Sequence, residues 1–526
     1  MTVEQPDYLL GRPISLVGPN AITLTLVSLA LVLVIATFLV RVKHRRMAPV
    51  WRAGGVLLSS SAMIVAMVIM VNAAMGFYPM LDSLFPKANK AVTEVKQLSP
   101  LQPPLTQNNE GREALKNEPQ SAEVAPRNEP QWMPHFEQVE EANGAKLLQT
   151  KFTGPISQIS QEVDVWVPRE FSLDPNPPQP DYRVIIFLHG SPGNPFASQA
   201  ALRAGEKLQA AIDQGKLPPT IMVFPGLNVD GQEPDCVNLV ERPAVETWLA
   251  QELPTMLHSV FPQISAIRGD WNLTGVSAGG YCAVRTALLH PQVFGSTASL
   301  SGYNRPTVGL LSEAGVQLYN ANTLSNLIGL PRKYPTRILF ASSANDRDAD
   351  FLTVSTNQIS PLPGDEYANL PLTGGHNWGA WNEVLPNVLS WIGEQSEVPH
   401  LQPLGKGIGA EFEPSQPTVE GWWGIKSWVL ISLVSILVLA LGAGLVTRWT
   451  IPGRSVTADA TNSPSFTLEV QTLRGRIIGY LLSLFLVTLT ASLVALEAFL
   501  IFNANLEFYA SWQDVIREFT VFLTFD

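Results

Sequence analysis

Charge is scarce in this chain, and basic charge scarcest. Only 15% of the 526 residues are charged, and 34 Lys and Arg stand against 45 Asp and Glu, a net charge of −11. Soluble domains carry about 25%. So few cations cannot build the dense basic face that neutralises phosphates, which excludes nucleic acid as a partner. Cysteine is nearly absent as well, with Cys236 and Cys282 alone. A chain this long buries enough core to fold without disulfide or metal staples. One disulfide and two buried free thiols both stay open, because sequence does not supply the geometry that pairing needs.

What is abundant is apolar. Hydrophobic residues make up 46% of the chain, and the excess sits in four blocks: residues 22–40, 54–75, 427–446 and 477–502. Each is near the roughly 20 residues that cross the hydrocarbon core. The first three hold no charge, and the fourth only Glu497 near its end. Soluble core helices keep a polar face, which these lack. Four transmembrane helices are expected, two before and two after the middle of the chain. The first block has its basic run behind it, so it reads as a retained span and not a cleaved signal.

Loop charge then orients the chain. Arg41, Lys43, Arg45, Arg46 and Arg52 lie between the first two spans, and Arg448, Arg454, Arg474 and Arg476 between the last two. Basic short loops stay in the cytoplasm, which puts both termini and the middle outside. Residues 54–425 agree, with 22 basic and 36 acidic residues, a net −14.

The expected organisation is therefore two spans within 1–87, a linker at 88–131, an exported domain at 132–398, a linker at 399–425, two spans within 426–502 and a tail at 503–526. The first linker is rich in Pro, Gln, Glu, Asn and Ala with almost no aromatics, too little apolar surface to offset its ordering entropy. The tail places Leu506, Phe508, Trp512, Ile516, Phe519 and Phe522 among a few charges. Such a segment suits the outer membrane surface, and packing against the domain is an equal alternative.

Within the middle, short β-rich runs alternate with helical ones, the signature of an α/β sheet. Strands are expected at 163–167, 182–188, 220–224, 271–274, 295–300, 337–342 and 366–371. Helices are expected at 244–260, 278–289 and 383–392. The unbroken apolar run at 182–188 marks a strand buried on both faces.

Gly275-Val276-Ser277-Ala278-Gly279 has the G-x-S-x-G form of a nucleophile elbow, a sharp strand-to-helix turn that lifts a serine above a sheet. It follows a short strand and opens a helix, the context the turn requires. A serine needs a base. His376 lies between the last strand and the last helix, where a base loop belongs. His290 reads as the C-terminal cap of the nucleophile helix, and His400 falls in the Pro-rich linker. The orienting acid should follow the strand at 337–342, where Asp346, Asp348 and Asp350 all lie; Asp346 is nearest the strand end and ranks first, with Asp348 second. Their alternation also suggests calcium, but Phe351 and Asn357 stand where a calcium loop wants Gly and Glu, so no metal is expected. The oxyanion hole needs two backbone N–H groups. Ala278 supplies one. Ser191 supplies the other, with Gly190 behind it, since Pro192 has no N–H. His189 reads as structural. Trp248, Trp378 and Trp381 read as core, with an acyl pocket as the alternative.

Three runs, His189-Gly190-Ser191-Pro192-Gly193, Gly275–Ala283 and Gly375-His376-Asn377-Trp378-Gly379-Ala380-Trp381, resemble the esterase branch of the α/β-hydrolases. That branch holds the S-formylglutathione hydrolases, enterochelin esterases and secreted mycolyltransferases, and the likeness is strongest to its membrane-tethered actinobacterial members. Residues 72–79 and Asp235-Cys236 share it. The resemblance covers about 145–395 and implies an α/β-hydrolase sheet with helices on both faces, a Ser-His-acid triad and ester chemistry without a cofactor. The expected protein is a membrane-anchored serine esterase acting outside the membrane on a lipid or cell-envelope ester. An acyltransferase using an envelope alcohol is the alternative, and a non-catalytic membrane scaffold the third reading.

The charge asymmetry is testable by cysteine accessibility. Single cysteines within 77–426 should react with an impermeant thiol reagent in intact, wall-stripped cells, and those within 41–52 or 448–476 only after lysis. The reverse pattern would invert the topology.

Overall fold

In the computed structural model the described residues are 19–42, 47–75, 133–394, 432–434, 454–458, 464–468, 473–506 and 508–523. Within 133–394 the stretches 173–180, 230–234 and 344–364 other than Asp346, and positions 241, 307 and 314, are not described. The chain divides into two compact units, one drawn from both ends of the sequence and the other from its middle together with the C-terminal tail.

The first unit begins with α1 (Pro19–Val40) and α2 (Ala48–Met75). Both are apolar around their whole circumference, and Leu24, Val27, Leu31, Leu57, Val65 and Val68 are exposed. Outward apolar side chains on a long helix suit lipid.

The second unit is built on a nine-stranded mixed sheet in the order β1-β2-β3-β5-β4-β6-β7-β8-β9. Its strands are β1 (Glu137–Ala142), β2 (Ala145–Thr153), β3 (Ser160–Val167), β4 (Arg183–Leu188), β5 (Thr220–Pro225), β6 (Trp271–Val276), β7 (Ser296–Leu300), β8 (Arg337–Ser342) and β9 (Glu366–Pro371). The first three pair antiparallel, and β3 meets β5 antiparallel. From β5 to β9 every pairing is parallel. The inner strands β4 and β5 are apolar without alternation because both faces are covered. On one face Val163, Val165, Val184, Ile186, Val223 and Leu273 share a core with Trp248, Leu253, Leu257 and Ala283. Toward the other face α3 (Pro195–Ala201) and α4 (Ala204–Asp213) pack on β3 and β5. There Trp166 donates its indole N–H to Gln199.

Several expectations need correction. The hairpin of β1 and β2 does not announce itself, because β1 is an exposed edge whose Glu137, Glu140 and Glu141 protect it from further pairing. β6 runs on to Val276, so the elbow glycine at 275 is still strand. The helix expected over 244–260 is broken by a π turn at Trp248–Glu252 before α5 (Leu253–Val260). Pro254 has no N–H for the carbonyl four residues back, which accounts for the local loosening. The nucleophile helix α6 (Ala278–Leu289) falls where expected. The last helix of the sheet domain, α7 (Trp378–Gly393), starts five residues earlier than expected. Asn377 caps it by accepting from the Ala380 N–H at 2.9 Å.

The chain returns to the first unit through a hairpin of β10 (Arg454–Ala458) and β11 (Pro464–Leu468) and then α8 (Leu473–Leu506). α8 lies along α1, with Leu33, Ala36 and Val40 against Val487 and Ala491. The Arg41 guanidinium sits 4.1 Å over the Tyr480 ring and donates to Ser483 at 2.9 Å. Among the described residues three helices are long and apolar enough to cross a membrane: Ala21–Val40, Ala48–Asn72 and Ile477–Asn503. The block at 427–446 lies outside the described residues except for 432–434. The last helix, α9 (Trp512–Leu523), belongs to the sheet unit and packs on α7.

Cys236 and Cys282 form a disulfide with their Cα atoms 5.6 Å apart, closing a loop of 46 residues. Cys282 is on α6, so the bridge ties the nucleophile helix to the loop after β5. Loop-closure entropy for that separation corresponds to about 4 kcal/mol. Replacing both cysteines by Ala should therefore lower unfolding free energy by about 2–5 kcal/mol in denaturant titration, and an unchanged midpoint would show that the bridge does not hold in solution.

Candidate active site

The parallel strands end on one edge of the sheet, and the loops leaving β4, β6, β8 and β9 meet there. Ser277 follows β6 directly. Its backbone has φ 53° and ψ −123°, a left-sided conformation that costs a non-glycine residue of order 1–3 kcal/mol. Two glycines permit it. A Cβ at Gly275 would lie 2.3 Å from the Gly279 carbonyl oxygen, and one at Gly279 would lie 2.4 Å from the Leu188 and His189 carbonyls. Strand, helix and the neighbouring loop thus cross too closely for any side chain. The Ser277 N–H donates to the Leu300 carbonyl at 2.9 Å, which fixes the turn to β7.

His376 lies five residues beyond β9. Its Nε2 is 2.9 Å from the Ser277 hydroxyl, and its Nδ1 is 3.0 and 3.1 Å from the two Asp346 oxygens. The Asp346 side chain is fully buried and that of His376 is 8% exposed. An ionised carboxylate only accepts, so Nδ1 carries the proton and donates to Asp346. Nε2 is then left with a lone pair that accepts from the Ser277 hydroxyl. Serine, imidazole and carboxylate form a chain able to take a proton from Ser277 Oγ and return it later.

The structure brings Ser277, His376 and Asp346 together, and Asp348, Asp350 and His400 lie outside the described residues. Two further carboxylates are engaged elsewhere: Asp365 with Arg332 and the Thr336 N–H, Glu366 with Arg337 at 2.7 Å. Ala278 opens α6 directly behind the serine. Gly190 comes close to Ser277: a Cβ there would lie 3.1 Å from the Ser277 Cβ.

His189 does not join this chain. It donates from Nδ1 to the Gly190 carbonyl at 2.7 Å and accepts the Leu227 N–H on Nε2 at 2.9 Å. Burial lowers it to about 4, so it stays neutral and ties two loops together. His290 ends α6 and reaches Glu246 at 2.9 Å, beside the Glu246–Arg285 pair at 3.0 Å. Trp248 packs on Phe152 within the core. Trp381 is at the site: its ring meets the His376 ring edge-on at 5.0 Å and its N–H donates to Ser301 at 2.9 Å.

Residues from the far end of the chain also reach the base loop. The Asn377 amide donates to the Phe508 carbonyl at 2.8 Å, and the Phe508 ring lies 6.2 Å from that of His376. The N–H groups of Gly375 and Gly379 donate to Asp514 and Glu518. Burial pushes Glu518 up to about 8, against the opposing pull of the Gly379 and Trp378 N–H groups. The sequence offered only the amphipathic spacing of the tail as a signal for this contact.

Residues 160–392 match the profile of the putative esterase family. An uncharacterized protein of Corynebacterium glutamicum is 23% identical over 228 residues, 40% of this chain and 53% of that protein, so the chain spans about half the length of the curated relative it matches. Among solved structures, a fluorophosphonate-binding serine hydrolase of Staphylococcus aureus is 15% identical with a TM-score of 0.37, covering 48% of this chain and 99% of its own. An S-formylglutathione hydrolase of Agrobacterium tumefaciens is 14% identical with a TM-score of 0.37, at 50% and 99% coverage. A siderophore hydrolase of Aspergillus nidulans is 15% identical with a TM-score of 0.35, at 50% and 100% coverage. The segment that matches the putative esterase profile is the sheet domain, and its mixed sheet is α/β-hydrolase-like.

The geometry pairs Asp346 with His376. Asp346→Asn keeps the shape but favours the wrong imidazole tautomer, so kcat on a soluble ester should fall by several orders of magnitude with little change in KM. Asp348→Asn and Asp350→Asn should stay within a few-fold of wild type; a crippled Asp348→Asn beside an active Asp346→Asn would reassign the acid.

Proposed function

We propose that this chain is a membrane-anchored serine esterase that works outside the cell membrane on a lipid or cell-envelope ester. The observation that carries this reading is the hydrogen-bonded chain from Ser277 through His376 to Asp346. Ser277 Oγ attacks the ester carbonyl while His376 Nε2 takes its proton, and Asp346 holds the imidazole and stabilises the imidazolium. The N–H groups of Ala278 and Ser191 accommodate the oxyanion. His376 then returns the proton to the departing alcohol, leaving an acyl group on Ser277. Water, activated by the same imidazole, releases the acid and restores the serine.

Anchoring rests on the apolar helices, three among the described residues and a fourth expected at 427–446. The outward orientation rests on the basic short loops, and a disulfide-bonded domain suits an oxidising compartment. A tethered active site meets membrane and envelope esters at high local concentration, which supports that substrate class over a diffusing metabolite.

Ser277→Ala tests the mechanism. The full-length variant in detergent should lose fluorophosphonate labelling and lower the rate of hydrolysis of a p-nitrophenyl ester by several orders of magnitude, on the order of 10⁶-fold where background allows, with unchanged circular dichroism. Near-normal turnover would sink the assignment. Adding an acceptor alcohol to the wild-type assay separates the two fates of the acyl-enzyme: only an acyltransferase yields the transferred ester in preference to the free acid.

A further inference from the structure

His376 is held from two sides. On the sheet side, Asp346 accepts from its Nδ1–H and the Leu372 N–H donates back to the Ser342 carbonyl. The loop from Thr373 to Gly379 gains its remaining support from the opposite end of the chain. One Asp514 oxygen accepts from the Gly375 N–H at 3.0 Å and from the Ala510 N–H at 2.9 Å. Glu518 accepts from the Gly379 N–H at 2.5 Å, within the first turn of α7. Asn377 donates to the Phe508 carbonyl at 2.8 Å while capping α7 with its other amide atom. Arg517 pairs with Glu383 at 2.6 Å and donates to the Thr373 carbonyl at 3.3 Å. Gly374 has φ +107°, and a Cβ there would lie 2.5 Å from Asp514 Oδ1, so the loop is folded directly onto that carboxylate. Asp514 and Glu518 are each 2% exposed.

These contacts come from outside the segment that matches the esterase family, which ends at residue 392. A side chain cannot hold a 2.9 Å contact if the loop that carries it drifts, and a misplacement of about 1 Å can cost on the order of 100-fold in rate.

Resting on the serine esterase reading above, we propose that the C-terminal segment 508–518 is a positioning element of the active site, in which Asp514 and Glu518 fix the backbone on either side of His376 and Phe508 packs against its ring. None of the three touches the reacting atoms. They act through the base, so their loss should lower turnover without weakening substrate binding.

The test compares Asp514→Ala and Glu518→Ala with Asp514→Asn and Glu518→Gln, in the full-length protein in detergent with a p-nitrophenyl ester. Active sites are counted from the end point of fluorophosphonate labelling at Ser277. Per labelled site, each Ala variant should lose about tenfold or more in kcat, with KM within about twofold. Initial labelling rates should fall in parallel. The Asn and Gln variants keep an acceptor oxygen for each backbone N–H and should recover to within about threefold of wild type. A merely structural role would reduce the number of labelled sites and leave kcat per site unchanged, and that result would overturn the proposal. So would Ala variants whose kcat per site stays within twofold of wild type. Should an Ala variant fail to fold, Arg517→Ala, which removes a half-exposed partner of Thr373, decides: about a threefold or greater loss in kcat per site supports the proposal, and none overturns it. A wild-type protein that neither turns over esters nor labels at Ser277 would instead bring down the esterase reading on which the proposal rests.

Discussion

The close crossing of β6 and α6 at Ser277 is the constraint on which the rest of the site depends. Gly275 and Gly279 have no room for a Cβ, since one built at either would lie 2.3–2.4 Å from backbone carbonyl oxygen. That closeness forces the left-sided conformation at Ser277 and aims its hydroxyl away from both elements. A residue so strained persists only where its surroundings over-determine it. Here the Leu300 carbonyl holds the serine N–H, and the Cys236–Cys282 bridge grips the next turn of α6. The sheet supplies the rest by topology. Parallel strands deliver their C-terminal loops to one edge, so residues 99 and 30 positions apart meet within hydrogen-bond distance.

Charge is handled sparingly in this site. The His376–Asp346 pair is nearly dry, and a low dielectric strengthens the attraction between a carboxylate and an imidazolium. The nearby histidine is kept out of the chemistry by the same physics. Burial lowers His189 to about 4 against the opposing pull of its hydrogen bond to Gly190, so it stays neutral and adds no charge beside the Ser277–His376 pair.

The parts legible in the sequence were those written locally. β4, β5 and β8 are short apolar runs bounded by turns, and Ser277 and His376 stand where a strand hands over to a helix. Asp346 was reachable because the acid loop opens just past β8. The disulfide could not be chosen, since pairing depends on a Cα separation that spacing does not encode. The β1–β2 hairpin was missed because an exposed edge strand rich in Glu carries no apolar alternation. The start of α7 was misplaced because its cap, Asn377, sits within the loop that presents the base.

The tail was hardest to read for a physical reason. Its apolar positions fit a membrane surface and a protein surface equally well, and hydrophobic spacing does not distinguish the two. What distinguishes them is polar: Asp514 and Glu518 are spaced four apart on one face of α9, and each is buried against backbone N–H groups. A carboxylate gains nothing from such burial unless donors await it. Here the donors are the N–H groups of Gly375 and Gly379, flanking the base. Those amides lie in a glycine-rich turn and at the mouth of a helix, where backbone donors have no partner of their own. The loop that presents His376 is thus short of acceptors, and the acids of α9 meet that need.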